Sequence, residues 1–549
     1  MQKFNNIVLF AGETKNENMP VGFYSSLAML PLRGKPIIWW QLNNLNKFGL
    51  ENFIIVVCKE NKELINYIKN VLALNFSIKL VLISKNKNIL SSLKYALQCA
   101  DIKKPTRVIL GDTLIPQSID DTTNILFTSK KIISSENWCL AEIDKLKHVV
   151  KFYDKEKNIE LSSKEALVGY YSFTDTSFLL NCCTKARLLL KKEISTALYM
   201  YMEKYKLKTK IIDDWYDLGH TSGIIKAKNI LFNARDFNSI SVDTELGTLT
   251  KSSKKIQKLA DEAYWFNNLP DCLKVLTPRL IDFKIENGTA KLTQELYGYQ
   301  SLQELFLSGN VNIEDWNYIL EKLFKLHKNF EKFTSDKNVN SLKFLYLDKT
   351  IDRIEELKKQ SQYWEKLLNI EDLFINGIKY KSINSLLENI KQYALKLSQT
   401  GSMSIMHGDY CFSNILFDSS NYSFKLIDPR GRLDEDATIY GDARYDLAKL
   451  RHSVCGLYDF IVQGLFKLYK KSINKFEYKI LSTKDYSILT KQFEKLVKKN
   501  GFINEEIQFI EGLLFLSMIP LHKDNLERQI MFFLKAVQLL NEVLIKDKV

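Results

Sequence analysis

Two short acidic motifs in the second half of the chain have the residue types and spacing of a phosphoryl-transfer site. Residues 407–414 read HGDYCFSN, which places Asp409 five positions before Asn414. Residues 426–431 read LIDPRG, so Asp428 follows an apolar stretch and a short predicted hairpin. Carboxylate and amide oxygens are ligands that Mg²⁺ prefers, and a carboxylate can orient an attacking hydroxyl. Either motif alone also fits a capped turn or a strand exit, whereas two spaced acids flanked by apolar residues favour chemistry.

The pattern HGDxxxxN, a strand and then an Ile-Asp turn resembles the aminoglycoside phosphotransferase and choline kinase family. The resemblance covers about residues 238–540 and implies a bilobal, protein-kinase-like α+β domain. Its small lobe would span about 237–300 and its helical large lobe about 301–549. The resemblance also implies ATP and Mg²⁺: Asp409 would accept or orient the proton of a substrate alcohol, and Asn414 and Asp428 would bind the metal.

The same resemblance implies a strand lysine and a helix acid upstream of these motifs. Lys251 ends a predicted strand, and Glu262 lies beside the apolar face of the helix that follows. An ion pair between them would hold the lysine against the α and β phosphates of ATP. Two solvated charges are the alternative interpretation. Asp446, in the run GDARYDLA at 441–448, is the candidate for a buried aspartate that braces the catalytic loop.

The first 110 residues alternate short apolar runs with helix-like stretches. Strands are predicted at Ile7–Phe10, Phe53–Cys58, Leu80–Ile83 and Val108–Leu110, with helices near 36–47, 62–74 and 89–99. This alternation is typical of a parallel sheet covered by helices. Ligands of such sheets bind beyond the carboxyl ends of the strands, and Gly12 and Asp112 follow the first and fourth predicted strands.

Several motifs in the first half resemble the sugar-phosphate nucleotidyltransferase family over about residues 4–232. They are LPLRGKPII at 30–38, GD at 111–112, VKFYDK at 150–155, ALVGYY at 166–171 and WYDLGH at 215–220. The resemblance implies a GT-A or Rossmann-like mixed sheet with flanking helices. It implies that Asp112 and Asp217 hold a metal ion beside the α-phosphate, and that Gly12 and Lys155 bind the phosphates.

The first half departs from that family at its phosphate loop. The family usually carries a glycine-rich loop with a basic residue and then a Pro-Lys pair, because backbone amides of such a turn cradle a triphosphate. Here residues 12–18 read GETKNEN, and Ser26-Leu27 stands in place of Pro-Lys. A degenerate domain in which Asp112 and Asp217 are helix caps is therefore the alternative.

Length, composition and charge limit the class of protein. A chain of 549 residues and 63.9 kDa is too long for one ordinary domain, and we predict domains at 1–236 and 237–549. With 46% hydrophobic and 26% charged residues it is globular. The net charge of +14 comes from scattered lysines, which favours anionic small molecules over nucleic acid. The eight cysteines form no CxxC pair, and no apolar run has the length for membrane insertion, so we expect a cytoplasmic protein.

Joined in one pathway, the two resemblances imply a bifunctional enzyme. The second domain would phosphorylate a small alcohol, polyol or sugar with ATP, and the first would transfer a nucleotidyl group to that phosphate. CTP is the first choice of nucleotide, and the product would be an activated donor for capsule or another surface polysaccharide. The alternatives are a kinase with a degenerate first domain, a kinase acting on a protein or an antibiotic, and a non-catalytic scaffold. The sequence leaves the acceptor, the base and the oligomeric state open, a homo-oligomer included.

Overall fold

A computed structural model of the chain divides into two compact units, residues 1–231 and 232–549. Each unit has its own sheets and its own buried core. The residues that the structure describes are 4–10, 26–32, 35–84, 88–132, 135–157, 159–162, 164–187, 193–212, 214–219, 223–224, 226–227, 238–243, 245–309, 311–482 and 484–545.

Unit 1 alternates strands and helices through its first half and is richer in strands afterwards. Its described strands are β1 (Asn5–Leu9), β2 (Pro31–Leu32), β3 (Lys35–Pro36), β4 (Phe53–Cys58), β5 (Ile78–Ile83), β6 (Thr106–Leu110), β7 (Thr113–Leu114), β8 (Ile125–Ser129), β9 (Cys139–Ile143), β10 (Val149–Asp154), β11 (Lys164–Phe173), β12 (Lys208–Ile211) and β13 (Tyr216–Asp217). Its described α-helices are α1 (Ile37–Lys47), α2 (Lys62–Asn70), α3 (Ile89–Gln98), α4 (Thr176–Ala186) and α5 (Ile194–Met202). Single 3-10 turns lie at Leu27–Met29 and Leu72–Leu74.

The main sheet of unit 1 has the strand order β10-β9-β11-β6-β1-β4-β5, and β8 pairs with both β11 and β12. Strands β6, β1, β4 and β5 run parallel, which confirms the parallel sheet predicted for the first 110 residues. Strand β11 is antiparallel to β6, so the sheet as a whole is mixed. The chain builds β4 and β5 on one side of β1 and returns to β6 on the other. The carboxyl ends of β1 and β6 therefore flank the switch point at which such sheets bind ligands.

Helix α3 shows how the sequence covers this sheet. The Asn88 side chain caps the helix by accepting a 2.9 Å hydrogen bond from the Ser91 backbone N–H. Leu90, Leu93 and Leu97 recur at helical spacing and are almost fully buried. They join a core that includes sheet residues from β1, β4 and β6. Burial of an apolar side chain of this size contributes roughly 1.5–3 kcal/mol.

Unit 2 begins with a sheet and becomes largely helical. Its described strands are β14 (Asn238–Asp243), β15 (Thr248–Ser253), β16 (Leu280–Glu286), β17 (Thr289–Glu295), β18 (Gln300–Ser301), β19 (Thr334–Ser335), β20 (Asp372–Ile375), β21 (Ile378–Lys381), β22 (Met403–Ile405), β23 (Ile415–Asp418), β24 (Ser423–Leu426), β25 (Arg432–Leu433), β26 (Asp436–Ala437), β27 (Tyr440–Asp442), β28 (Phe466–Ser472) and β29 (Lys475–Ile480). Its described α-helices are α6 (Ile256–Asn268), α7 (Asp271–Lys274), α8 (Leu302–Ser308), α9 (Ile313–Phe330), α10 (Val339–Lys343), α11 (Lys349–Gln360), α12 (Gln362–Asn369), α13 (Ile383–Thr400), α14 (Ala443–Val454), α15 (Tyr458–Val462), α16 (Ser487–Lys499), α17 (Asn504–Met518) and α18 (Leu526–Leu544). A π-helical turn at Phe344–Asp348 joins α10 to α11, and 3-10 turns lie at Phe412–Asn414 and Ile519–His522.

The first sheet of unit 2 is antiparallel, with the order β14-β15-β17-β16. Its β16–β17 hairpin turns through Asn287 and Gly288, whose φ angles are 49° and 71°. Positive φ at both central positions is the requirement of a tight hairpin turn. Helix α6 packs on this sheet through Leu259 and Ala263. The hairpin β23–β24, in which Ile415 pairs with Leu426, then brings the two acidic motifs to the same end of a strand pair.

A second four-stranded sheet, β21-β20-β29-β28, lies in the part of unit 2 that the sequence predicts to be helical. That prediction was wrong for residues 372–381 and 466–480. Asn376 and Gly377, with φ of 50° and 83°, form a hairpin turn like that of β16–β17. Along β29, the buried Phe476 is flanked by exposed residues, a period of two that charged side chains obscure in the sequence.

The cysteines and the helices are relevant to disulfides and membrane spans. All eight cysteines are free thiols. Within the described ranges, no helix combines the length and the apolar composition needed to cross a bilayer.

Candidate functional site

The predicted strand lysine and helix acid of unit 2 form an ion pair. Lys251 lies in β15 and Glu262 in α6, and Lys251 Nζ is 2.5 Å from Glu262 Oε1. The same ammonium contacts Asp428 Oδ1, from the turn after β24. The side chains of Lys251 and Glu262 are 9% and 4% exposed, whereas that of Asp428 is 40% exposed. Three separate segments therefore meet at one ammonium group, and its Asp428 side is open to solvent.

Lys251 remains charged in this setting. Burial disfavours its ammonium form, but the Asp428 and Glu262 carboxylates outweigh that effect and raise the pKa of Lys251. Asp428 has a φ of 57°, in the left-handed region that aspartate tolerates better than most residues. A fixed cation beside a partly exposed carboxylate can bind phosphate oxygens and a metal ion side by side.

A second cluster forms around the predicted catalytic aspartate. Asp409 Oδ2 accepts a 2.8 Å hydrogen bond from the side-chain amide of Asn414, and Lys449 Nζ lies 2.8 Å from Asp409 Oδ1. Burial alone would raise the pKa of Asp409, but Lys449 and then Arg430 lower it well below its usual range. Asp409 is therefore ionised throughout the neutral range, in the form that accepts a hydrogen bond from a hydroxyl group.

The buried imidazole of His407 connects the two clusters. His407 Nδ1 accepts the backbone N–H of Asp409 at 3.3 Å. Burial lowers the pKa of His407, and the carboxylates of Asp446, Asp409 and Asp428 oppose that shift, so these acids all act on one ring. Ile427 N–H donates to the backbone oxygen of Asn414 at 3.0 Å, which fixes the turn of Asp428 beside the loop of Asp409.

Asp446 braces this loop, as the sequence predicts. It lies in the first turn of α14 and is fully buried. Its two carboxylate oxygens accept the backbone N–H groups of His407 at 2.7 Å and Gly408 at 2.8 Å. One side chain thereby satisfies two buried donors at the position where Gly408 turns the chain with a φ of 77°.

The turn after Asp428 is seated directly against helix α6. An ideal Cβ placed on Gly431 would overlap the backbone oxygen of Asp261, and the φ of Gly431 is 64°. Next to it, Arg432 Nε donates to Asp261 Oδ2 at 2.8 Å. The helix that carries Glu262 and the turn that carries Asp428 are therefore joined by a close backbone contact and an ion pair.

The donor set of unit 2 suits Mg²⁺. Asp428 presents a partly exposed carboxylate, and Asn414 Oδ1 accepts only a 3.2 Å hydrogen bond from Ser413 Oγ among its described contacts. Both are hard oxygen donors. Across the described ranges, no three His, Cys, Asp or Glu side chains gather into a metal cluster. Mg²⁺ is usually held by one or two carboxylates together with substrate phosphates.

Four residues near Asp409 carry charge or a hydroxyl that sequence reasoning did not assign. They are Lys349, Arg430, Tyr445 and Lys449. For Lys449 a signal existed, since it lies three positions after Asp446 on α14 and therefore shares a helix face with the loop brace. Lys349 is distant in sequence from every motif, and only the fold brings it to this place.

In unit 1, the two predicted metal ligands converge on one point. Asp112 directly follows Gly111 at the end of β6, and Asp217 ends β13, which pairs with β7. An ideal Cβ on Gly219 would lie 3.0 Å from Asp217 Oδ1 and 3.4 Å from Asp112 Oδ2. Leu218 N–H donates to the backbone oxygen of Asp112 at 2.7 Å, which holds the two segments together. Two carboxylates that converge at the switch point of the sheet fit a divalent cation.

The two predicted phosphate-binding residues of unit 1 have different outcomes. Lys155 is exposed just after β10, with a φ of 49°, and its backbone N–H donates to Trp138 O at 3.0 Å. Its ammonium is thus available to a ligand at the surface. Gly12, with the rest of the phosphate loop, lies outside the described residues. The phosphate-binding roles of Lys155 and Gly12 remain predictions.

Some solved structures resemble part of the chain at low sequence identity. No curated protein matches the chain. Among solved structures, one from Bacillus anthracis described as a glucose-1-phosphate thymidylyltransferase in complex with sucrose has 18% identity, covers 43% of this chain and 97% of its own, and has a TM-score of 0.36. A UDP-glucose pyrophosphorylase with UDP-glucose has 17% identity, with coverage of 42% and 100% and a TM-score of 0.36. HddC from Yersinia pseudotuberculosis has 14% identity, with coverage of 42% and 99% and a TM-score of 0.34.

The N-terminal part of the chain also matches a protein family. Residues 7–233 match the family described as Nucleotidyl transferase. This segment contains the mixed sheet and both carboxylates that meet at Gly219. The N-terminal unit of the chain is therefore a nucleotidyl transferase domain.

Proposed function

We propose that the chain is a bifunctional transferase. Unit 2 phosphorylates the hydroxyl group of a small alcohol, polyol or sugar with ATP, and unit 1 transfers a nucleotidyl group to the resulting phosphomonoester. The observation that carries the kinase half is the meeting of Lys251 with Glu262 and Asp428 next to the braced loop of Asp409. The family match over residues 7–233 carries the other half.

In the proposed kinase reaction, the acceptor oxygen attacks the γ-phosphorus while the bond from that phosphorus to the β–γ bridging oxygen breaks. Asp409 orients the hydroxyl and receives its proton, and Asn414 holds the Asp409 carboxylate in place. Lys251 binds the phosphates of ATP, since an ammonium that Glu262 and Asp428 hold in place needs little reorganisation. Mg²⁺ bound by Asp428 and Asn414 would neutralise charge on the transferring phosphate.

In the proposed nucleotidyl transfer, a phosphomonoester oxygen attacks the α-phosphorus of a nucleoside triphosphate and pyrophosphate leaves. Asp112 and Asp217, which converge at Gly219, would hold Mg²⁺ beside the α-phosphate. Lys155, exposed after β10, supplies positive charge for the phosphates. CTP is our first choice of nucleotide, because choline-kinase-like domains occur fused to cytidylyl-transferring ones. The product would be an activated donor for capsule or a related surface polysaccharide.

The test is a turnover screen of the full-length protein with two separate readouts. ADP is measured with ATP and choline, ethanolamine, glycerol, polyols, hexoses and heptoses as acceptors. Pyrophosphate is measured with each of the four nucleoside triphosphates and the matching phosphomonoesters. We expect ADP with at least one acceptor, and pyrophosphate with its phosphorylated form, CTP giving the highest rate.

Each failure points to a different alternative. ADP without pyrophosphate would indicate a kinase with a degenerate first domain. Pyrophosphate without ADP would remove the kinase assignment and leave the nucleotidyl transferase domain. Binding of ATP without either product would indicate a scaffold.

A further inference from the structure

Three cations of unit 2 surround one phenol beside the proposed catalytic aspartate. Arg430 Nη2 lies 2.7 Å from Tyr445 Oη, and the Arg430 guanidinium carbon is 4.8 Å from the centre of the Tyr445 ring. Lys349 Nζ lies 3.5 Å from the same hydroxyl. Lys449, one turn after Tyr445 on α14, contacts Asp409. We call Lys349, Arg430, Tyr445 and Lys449 the cation cluster.

Two members of the cation cluster, Tyr445 and Lys349, have lowered pKa values. Burial would raise the pKa of the Tyr445 phenol, but Arg430, Lys349 and Lys449 outweigh it and lower the pKa to about 7. Burial, aided by Arg430 and Lys449, lowers the pKa of Lys349 to about 8. Both lysines and the arginine thus carry charge at neutral pH.

The carboxylates nearest to the cation cluster have direct partners other than Lys349 and Arg430. Asp409 forms an ion pair with Lys449, and both carboxylate oxygens of Asp446 accept hydrogen bonds from backbone N–H groups. Among the residues that the structure describes, neither Lys349 nor Arg430 forms an ion pair with a carboxylate. Lys349 and Arg430 are half-buried. Removing an unpaired charge from water is costly, so two such cations placed together are suited to bind an anion.

The position of the cation cluster assigns it to the acceptor. The proposed ATP-binding lysine is Lys251, which lies with Glu262 and Asp428. The cation cluster instead adjoins Asp409, the group that would orient the acceptor hydroxyl, through its 2.8 Å contact with Lys449. A π-helical turn directly precedes Lys349, and such turns are frequent at functional sites.

We propose that the acceptor is an alcohol that also carries an anionic group, a phosphomonoester or a carboxylate, which Arg430 and Lys349 bind. This inference rests on the proposed kinase function and narrows its substrate class. A planar guanidinium pairs with two oxygens of either anion, and the lysine adds a point charge. The anionic group is unchanged in the reaction: the acceptor hydroxyl forms the new bond to the γ-phosphorus, its proton goes to Asp409, and ADP leaves. Cationic acceptors such as choline are excluded by the same charges.

The first experiment compares acceptors that differ only in charge. ADP formation by the full-length protein is measured with glycerol against glycerol 3-phosphate and glycerate, and with ribitol against ribitol 5-phosphate, with choline as the cation. We expect kcat/KM at least 100-fold higher for an anionic member than for its neutral parent, and the phosphate and carboxylate arms identify the anion. Faster turnover of neutral or cationic acceptors would overturn the inference and leave the kinase in place.

The second experiment substitutes the cation cluster. Lys349→Met removes one charge at similar length, and Lys343→Met is its control, because Lys343 forms only an exposed 3.4 Å pair with Asp348. We expect Lys349→Met to raise KM for the anionic acceptor at least tenfold, with KM for ATP unchanged and the melting temperature unchanged or higher. A rise in KM for ATP instead would assign the cation cluster to the nucleotide and overturn the inference.

If no acceptor in the panel is turned over, a binding measurement tests whether Lys349 and Arg430 bind an anion. Inorganic phosphate is titrated calorimetrically into full-length protein saturated with Mg²⁺ and a non-hydrolysable ATP analogue. We expect binding that Lys349→Met and Arg430→Gln abolish and that Lys343→Met preserves. Equal binding by all variants would overturn the inference, whereas ADP formation that survives Asp409→Asn would overturn the proposed kinase function.

Discussion

The two units gather their carboxylates in different ways. In unit 1, Asp112 and Asp217 are brought to Gly219 by backbone pairing between β7 and β13 and by the Leu218 N–H. In unit 2, each acid has a lysine from another element: Asp428 contacts Lys251, and Asp409 contacts Lys449. A backbone-built site should keep its geometry when one side chain changes, whereas a site built from ion pairs should lose charge balance as well as one ligand.

The largest expected effect is that of Asp409→Asn on the kinase half. The variant loses the proton acceptor and leaves Lys449 without its carboxylate, so ADP formation should fall about 10²–10⁴-fold. Pyrophosphate release should be unchanged, since it belongs to unit 1. Asp434→Asn, at an exposed position with a φ of 55° that asparagine also tolerates, is the control and should match the wild type. Unchanged ADP formation would remove the catalytic role of Asp409.

The complementary variant is Asp112→Asn in unit 1. It removes one of two carboxylates beside the proposed metal site, so pyrophosphate release should fall on the order of 10²-fold. The free energy of unfolding, from denaturant titration, should stay within about 0.5 kcal/mol of the wild type, because strand pairing holds the geometry. Asp120→Asn is the control, because it removes the charge from an exposed 2.6 Å pair with Lys210 and keeps an oxygen for the Thr122 N–H, which lies 3.1 Å from Asp120 Oδ1. A large loss of stability would contradict the contrast between the units.

Removing the loop brace should cost stability as well as activity. Asp446→Ala leaves the backbone N–H groups of His407 and Gly408 without their acceptor, at about 1–3 kcal/mol each. We expect the free energy of unfolding to fall by about 3 kcal/mol in urea titrations followed by circular dichroism. Asp434→Asn is the control, because asparagine tolerates the φ of 55° at this exposed position. An unchanged midpoint would show that the loop keeps its form by other contacts.

The smallest expected effect concerns Asp459, a fully buried acid of α15 whose Oδ1 accepts a 2.7 Å hydrogen bond from Gln303. Burial raises the pKa of Asp459 to about 6. The native state therefore binds more protons than the unfolded state between about pH 4 and pH 6, and stability falls as pH rises through that window. Relative to wild type, Asp459→Asn should gain about 2 kcal/mol in free energy of unfolding between pH 4 and pH 7.5, whereas Asp434→Asn should gain nothing. A constant difference across pH would contradict the raised pKa.

Local sequence patterns predicted elements, and the family resemblance predicted the roles of residues within them. The Lys251–Glu262 pair and the Asp446 brace were predicted from the resemblance to the aminoglycoside phosphotransferase and choline kinase family. The parallel part of the unit 1 sheet followed from its unbroken apolar strands. Such strand and helix signals depend on short-range periodicity, which a single sequence contains.

Contacts between residues that are far apart in the chain could not be predicted from the sequence. Lys349 reaches Tyr445 across 96 positions, and no local pattern encodes that approach. The surface sheet of β20, β21, β28 and β29 was missed because its exposed faces are charged and its two hairpins are far apart in the chain. In both cases the structure depends on tertiary contacts, which local propensity does not encode.

The close contact of Gly431 with Asp261 bears on how the proposed kinase half would be controlled. Helix α6 carries Glu262 and, at the adjacent Asp261, supports the turn that carries Asp428, so neither group can move away from the proposed site alone. We therefore expect a constitutively assembled enzyme, whose output follows the concentrations of its substrates rather than a conformational switch.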